Sequence, residues 1–292
     1  MITQIPDNIL KIVKELEENK EVIPATYDCM FKALFQEEDM KGILSYLISK
    51  ITGMDKDYIY ENIKIVNSEI PKRKYIEKGK ITDLLVTVGN STINLEMNSK
   101  VTNSSLIKNN AYHHEIAGRL FYIGEEYKYL RKSIQINFNR KYEIKGFGEE
   151  IVQEFKMRSK DGKYVLDENF VNYQINLEKI YKKYYNKSKL NRFEKILLIL
   201  TLNKKEELEK VVEGDKELMH MKDKIEDFSN DLEMIGLYDE EKVRDIVKKI
   251  DIEDAKKEEK IEIAKNMLKD NASIELITKY TGLSKKEIET LM

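Results

Sequence analysis

The 292 residues carry 51 basic and 53 acidic side chains, a net charge of −2, so total charge selects neither nucleic acid nor a membrane as partner. With 41% hydrophobic and 36% charged residues the chain can bury a sizeable core, which excludes a wholly disordered protein. A single cysteine, Cys29, excludes an internal disulfide framework, and no apolar run reaches the roughly 20 residues of a transmembrane helix. The first residues lack the basic-then-apolar order of a signal peptide, so a soluble, cytoplasmic protein in a reducing compartment is expected, with no membrane partner.

In chain order, residues 7–19 read as an amphipathic helix with Ile9, Ile12, Val13 and Leu16 on one face. Helices follow over 27–36 and 39–51, the latter stopped by Gly53. Residues 62–68 read as a strand, 71–80 as a charged loop, and 81–88 and 91–98 as two alternating strands around Gly89-Asn90. A helix over 104–124 is expected to stop at Gly124, with strands at 133–139, 151–157 and 172–178. From about 189 the pattern is helical. This order predicts an α/β fold, a mixed sheet flanked by helices, with an all-helical C-terminal extension. The expected divisions are 1–188, a helical extension 189–270, and a small hairpin 271–292.

The near-neutral total hides an uneven distribution. Residues 1–150 are net 0, residues 151–200 net +5, and residues 201–292 net −7. Such asymmetry reflects either separate tasks or drift on solvated helix faces.

The Gly89-Asn90 hairpin carries the most chemistry. Glycine first suits a type II′ turn, whose first central residue needs positive φ. Pairing about this turn places Val86 opposite Ile93, Leu84 opposite Leu95 and Thr82 opposite Met97, an apolar face. The other face pairs Thr87 with Thr92, Leu85 with Asn94, Asp83 with Glu96 and Ile81 with Asn98. Opposed carboxylates about 5 Å apart at Cβ repel, and they need a cation, a shared proton or solvent between them. A hard divalent cation resolves the repulsion; two wetted acids on an exposed face are the bland reading.

Other candidate centres are weaker. His113 and His114 are adjacent, so on a helix they point about 100° apart and form no i, i+4 metal pair. His220 is isolated, Cys29 has no histidine at motif spacing, and no phosphate-loop motif occurs.

The arrangement of Asp83 and Glu96 resembles the PD-(D/E)XK nuclease superfamily, and more closely its recombination-promoting nucleases, also described as PD-(D/E)XK nuclease family transposases. Asp28-Cys29-Met30-Phe31-Lys32 with Leu34-Phe35 resembles the family's early D-x-x-F-K-x-x-F helix. Thr82-Asp83-Leu84 resembles its first acidic strand, and Asn94-Leu95-Glu96-Met97-Asn98 its E-M-Q or E-M-N strand. Gly124, Tyr127, Leu130 and Ser133 to Phe138 resemble a G-x-x-Y-x-x-L-x-x-x-I-x-I tract, and Gln174 to Lys179 a later strand. The similarity runs from about residue 24 to the end, in motifs that are short singly and more specific in their order.

The resemblance implies a restriction-endonuclease-like fold and a metal-dependent DNA endonuclease linked to mobile DNA or recombination. It implies Asp83 and Glu96 as ligands of Mg2+ or Mn2+, Asn98 as the third catalytic residue, and Asp28 as an additional acid. Asn98 departs from the usual Lys or Gln: an amide carries no charge and is no general base, though it can hydrogen-bond a water or a phosphate oxygen. A catalytically weakened DNA-binding, defence or regulatory protein on the same fold is the alternative. For Asp28 an i, i+4 pair with Lys32 is the structural alternative.

The DNA-contact candidates are Lys72, Arg73 and Lys74 in the charged loop, Lys100 just past Asn98, Lys108 on the following helix, and Lys182 and Lys183 within 179–192. In that last stretch tyrosines interleave with bases, a pattern suited either to stacking on nucleotides or to packing on the core. The helices at 273–280 and 284–291 resemble a helix-turn-helix, with Ser284 and Glu287 as a capping box. An αα-hairpin used for packing, or for a homodimer, fits the same residues.

Overall fold

Alternating apolar residues build the strands of the computed structural model, which describes residues 5–66, 69–70, 80–99, 101, 103–119, 131–141, 150–270 and 272–291. In chain order the strands are β1 (Ile63–Val66), β2 (Glu69–Ile70), β3 (Lys80–Ile81), β4 (Leu84–Val88), β5 (Ser91–Asn98), β6 (Lys132–Asn139), β7 (Val152–Arg158) and β8 (Val165–Asn176). Six of them form one mixed sheet in the order β1-β4-β5-β6-β8-β7, with β5-β6 and β6-β8 parallel and the other pairs antiparallel. β2 and β3 pair in a separate two-stranded sheet.

Period-two alternation gives this sheet two different faces. Leu84, Val86, Ile93, Leu95, Ile134, Ile136, Phe138, Val171 and Ile175 face one apolar core. Helices α1 (Asp7–Asn19), α2 (Asp28–Gln36), α3 (Lys41–Thr52) and α4 (Lys56–Asn62) contribute Ile9, Phe31, Leu34, Phe35, Leu44, Ile48 and Ile59 to the same core. The opposite face is polar yet buried, and α5 (Asn103–Gly118) lies against it.

Beyond β8, α6 (Leu177–Tyr185), α7 (Arg192–Ile199), α8 (Lys205–Val212), α9 (Lys216–Asn230) and α10 (Leu232–Lys269) follow. Two compact units result, Met1–Tyr238 and Asp239–Met292. The change of pattern near residue 188 lies inside the first unit, because Ile180, Ile196, Leu208, Met221 and Ile235 share its core with the sheet. The second unit contains α11 (Ile274–Thr281) and α12 (Lys285–Glu289), packed through Ala264, Ile277, Leu283 and Ile288. Its turn is drawn by Gly282 in the left-handed region, φ 70°, and by the Ser284–Glu287 capping box. Among the described residues no helix is long and apolar enough to cross a membrane.

Several expected boundaries shift. The expected strand 81–88 breaks at a bend: Ile81 pairs with Glu69 in the small sheet instead of facing Asn98, and the main ladder starts at Leu84. A single 3-10 turn, Glu38–Met40, precedes α3. β8 begins at Val165, seven residues before the alternation becomes legible, because its first half lies at the less buried end where no core enforces a pattern. The expected stop at Gly124, with Tyr127 and Leu130, lies outside the described residues.

Candidate active site

The β4-β5 hairpin is set by its turn. Gly89 has φ 54° while Asn90 is not among the positive-φ residues, the signature of a type II′ turn. A Cβ at Gly89 would also stand 2.1 Å from the Tyr58 hydroxyl. The resulting register is the expected one: Leu84 with Leu95, Leu85 with Asn94, Val86 with Ile93, Thr87 with Thr92, Val88 with Ser91.

One residue past this ladder, backbone pairing gives way to side-chain pairing. The Met97 N–H donates to Asp83 Oδ2 at 2.7 Å, taking the donor that a continuing ladder would use. The Asp83 N–H in turn favours the charged form of the Glu96 carboxyl. Asp83 and Glu96 thus lie side by side, 6% and 2% exposed. Burial raises the Asp83 carboxyl well above the ordinary carboxylate range, and the charges of Glu96 and Asp28 raise it further, against the Met97 N–H and Lys32. Burial likewise raises Glu96 to about 7, with Asp28 adding to it; Asn94, Lys108 and the Asp83 N–H pull the other way.

Asp28, the first residue of α2, and Lys32 one turn on therefore act on this pair electrostatically, as does the exposed Lys108 of α5. No lysine or arginine among the described residues forms a salt bridge with Asp83 or Glu96. No three His, Cys, Asp or Glu side chains among the described residues are arranged as a ready set of metal ligands. The donor set, two adjacent carboxylates with a third acid in electrostatic range, is all oxygen. It suits a hard cation such as Mg2+, which binds through one or two carboxylates and fills its other positions with water and phosphate.

Asn98 projects from the same face two residues beyond Glu96, and both ends of its amide are engaged. Its Nδ2 donates to Asn139 Oδ1 at 3.0 Å, and its Oδ1 accepts from Asn109 Nδ2 at 3.1 Å. These bonds belong to a larger array. The parallel registers align Asn94, Gln135 and Asn172 in one row, Glu96, Asn137 and Gln174 in the next, and Asn98, Asn139 and Asn176 in the third. Glu96 is the lone carboxylate among eight amides.

Five of the bonds run in sequence from amide to amide. Asn109 donates to Asn98, Asn98 to Asn139, Asn139 to Gln174 at 2.9 Å, Gln174 to Asn172 at 2.6 Å, and Asn172 to Asn110 at 3.2 Å. The chain starts and ends on neighbouring residues of α5, so it fixes that helix over the sheet. Sequence reasoning missed this array. Its signal was present: in a chain with 36% charged residues, three strands carry amides at alternate residues on the non-core face, with Glu96 the one charge among them.

The other expected DNA contacts fall in different places. Lys72, Arg73, Lys74 and Lys100 lie outside the described residues. Lys182 is exposed and i, i+4 to Glu178, whereas Lys183 donates to Glu194 Oε1 at 2.6 Å, a carboxylate 4% exposed. Tyr181 and Tyr184 pack on the core, the structural alternative for that stretch. His113 is buried and stacked on Phe170, centroids 3.8 Å apart, and burial lowers its pKa to about 4. His220 is not isolated; it pairs with Asp39 at 2.9 Å. Cys29 is half-buried and packs against the core.

Comparison with known families agrees with this geometry. Residues 25–255 match the model of the PD-(D/E)XK nuclease family transposases, and residues 257–292 match that of the Rpn/YhgA-like nuclease family C-terminal HTH domain. Neither the curated proteins nor the solved structures give a match. The first match spans well over half of the chain and contains the mixed sheet, α2 and the paired carboxylates; the chain belongs to the PD-(D/E)XK nuclease family transposases.

Proposed function

We propose that this protein is a metal-dependent DNA endonuclease that hydrolyses phosphodiester bonds in the service of mobile DNA or recombination. The observation that carries this reading is the buried Asp83–Glu96 pair, with Asp83 held by the Met97 N–H and no salt-bridging cation among the described residues. Asp83 and Glu96 would hold Mg2+ or Mn2+, with Asp28 supporting them from α2. Bound there, the cation supplies Lewis-acid polarisation of a phosphodiester and stabilises the charge that develops in its transition state.

The remaining roles fall to the chain's own groups. Asn98, held by Asn139 and Asn109, orients a water or a phosphate oxygen through its amide. Lys108 supplies positive charge beside Glu96 for an incoming phosphate. Lys72, Arg73, Lys74, Lys100 and Lys182 are proposed as further backbone contacts, and the C-terminal helix pair as a DNA-binding element. Lys183 is the least favoured of the expected contacts, since Glu194 already engages it.

A second reading rests on one observation, the engagement of both ends of the Asn98 amide where the superfamily carries a lysine. On that reading the fold binds DNA with weak or no cleavage. Incubation of supercoiled plasmid with the full chain and Mg2+ or Mn2+ separates the two. Nicking that disappears in Asp83→Ala and Glu96→Ala supports the nuclease. Salt-sensitive binding without nicking supports the alternative.

A further inference from the structure

The polar face of the sheet does not end at the carboxylates. Its far side opens into a cavity of about 290 Å³ between α5 and the β8-β7 edge. The lining combines aromatic and apolar groups, Phe155, Phe170 and Met157, with the amides Asn110, Asn172 and Gln174. A second lobe of about 200 Å³ shares His114, Met157 and Phe170 with the first and is lined as well by Arg131 and Ser133. The Ser133 side chain is 3% exposed, and its hydroxyl has no hydrogen-bond partner among the described residues.

Two features mark this as a built site. Phe155, Lys156 and Met157 all line the cavity, although a regular strand turns consecutive side chains to opposite faces. Register shifts between Lys156 and Met157 and between Met157 and Arg158 break that alternation, as a β-bulge does. The cavity is also wired to the carboxylate site. Gln174 stands in the row of Glu96, two strands away, and the amide chain from Asn98 passes through Gln174 and Asn172 to Asn110 at the cavity wall.

We infer that this groove receives an unpaired nucleobase of the DNA strand engaged at Asp83 and Glu96, an inference that rests on the reading above that this face engages DNA. Aromatic rings supply a stacking surface indifferent to base identity, and the exposed Asn110 amide, whose Oδ1 accepts from Asn172, directs its Nδ2 donor to a base edge. Two inter-strand spacings put Gln174 about 10 Å from Glu96, within reach of one bound strand. The second lobe, with the Ser133 hydroxyl and Arg131, takes the adjoining sugar-phosphate. Phe155 is 42% and Met157 47% exposed, so both can be changed without opening the core.

The test compares two single strands of equal length and charge, an oligodeoxynucleotide and an abasic sugar-phosphate chain, binding to the full chain in chelator. The wild type should bind the base-bearing strand about 5- to 150-fold more tightly. Phe155→Ala and Met157→Ala should each reduce that ratio while leaving the affinity for the abasic chain unchanged. Equal affinity of the wild type for the two chains, or a ratio unmoved by both substitutions, overturns the base site. Neither outcome bears on plasmid nicking, which judges the carboxylate site by itself. Base discrimination without nicking would leave this site standing and remove the catalytic reading.

Discussion

The Met97 backbone N–H donates to Asp83 Oδ2 at 2.7 Å, one residue beyond the last ladder pair of the β4-β5 hairpin. A side chain thereby replaces a strand at the point where the main sheet would otherwise continue. The substitution has two effects. It ends the ladder, and it holds one carboxylate against the neighbouring one on Glu96. The fold accepts the electrostatic cost of this arrangement, and that cost can be measured.

Glu96 binds its proton more tightly in the folded chain than in the unfolded one. The folded chain therefore holds more protons between about pH 4.5 and 7, and metal-free stability falls as pH rises through that window. Asp83 shifts in the same direction. Carboxylates such as Asp215, lowered by Arg192, lose stability as pH falls, so the comparison must be between variants. In chelator at pH 8, Glu96→Gln and Asp83→Asn should be more stable than the wild type, by on the order of 1–3 kcal/mol each. Thermal melts should show the gain shrinking toward pH 5.

Divalent metal should reverse that order. Mn2+ or Mg2+ that binds only the folded chain raises its stability by about 2.7 kcal/mol at a hundredfold excess over Kd. Thermal melts of the wild type should move up with metal concentration. Those of Glu96→Gln should move little, because a neutral amide replaces one of the two anionic ligands.

Much of this site was legible in the sequence. Gly89-Asn90 fixed the turn, the alternation on both sides fixed the register, and the register put Asp83 beside Glu96. The bend at Asp83 was not legible, since Thr82 and Ile81 continue the alternation and only the carboxylate–N–H bond diverts them. The amide array was hidden for a different reason. Period-two spacing shows that Gln135, Asn137 and Asn172 share a face, but not that α5 buries that face. That depends on Asn109 and Asn110 meeting strands far away in sequence. The cavity depends on a bulge in β7, which leaves no residue signature in Lys156-Met157-Arg158.

Asn137 is the centre of the array. It accepts from Gln135 and Asn109, and donates to Asn172 and to the Tyr173 carbonyl. Asn137→Ala leaves buried partners unsatisfied and should cost at least about 1–3 kcal/mol in urea unfolding. A change within ±0.5 kcal/mol, the ordinary range for surface positions, would show that the array does not hold the sheet face together.

The two neighbouring lysines of α6 should separate cleanly. Lys183→Ala leaves the nearly buried Glu194 carboxylate with the Asn191 N–H but no counter-charge, and should destabilise the chain by on the order of 1–3 kcal/mol. Lys182→Ala removes only an exposed i, i+4 pair and should cost less than about 0.5 kcal/mol. Filter binding at two salt concentrations would show whether Lys182 meets DNA, since loss of one phosphate contact lowers the salt slope by about one.

Whether Asp83 and Glu96 together hold a divalent cation is read from anomalous diffraction of crystals soaked in Mn2+. A manganese peak within coordination distance of both carboxylates is expected, with the Asp83 carboxylate turned from the Met97 N–H. Manganese bound elsewhere, with Met97 still donating to Asp83, would rule out the shared site.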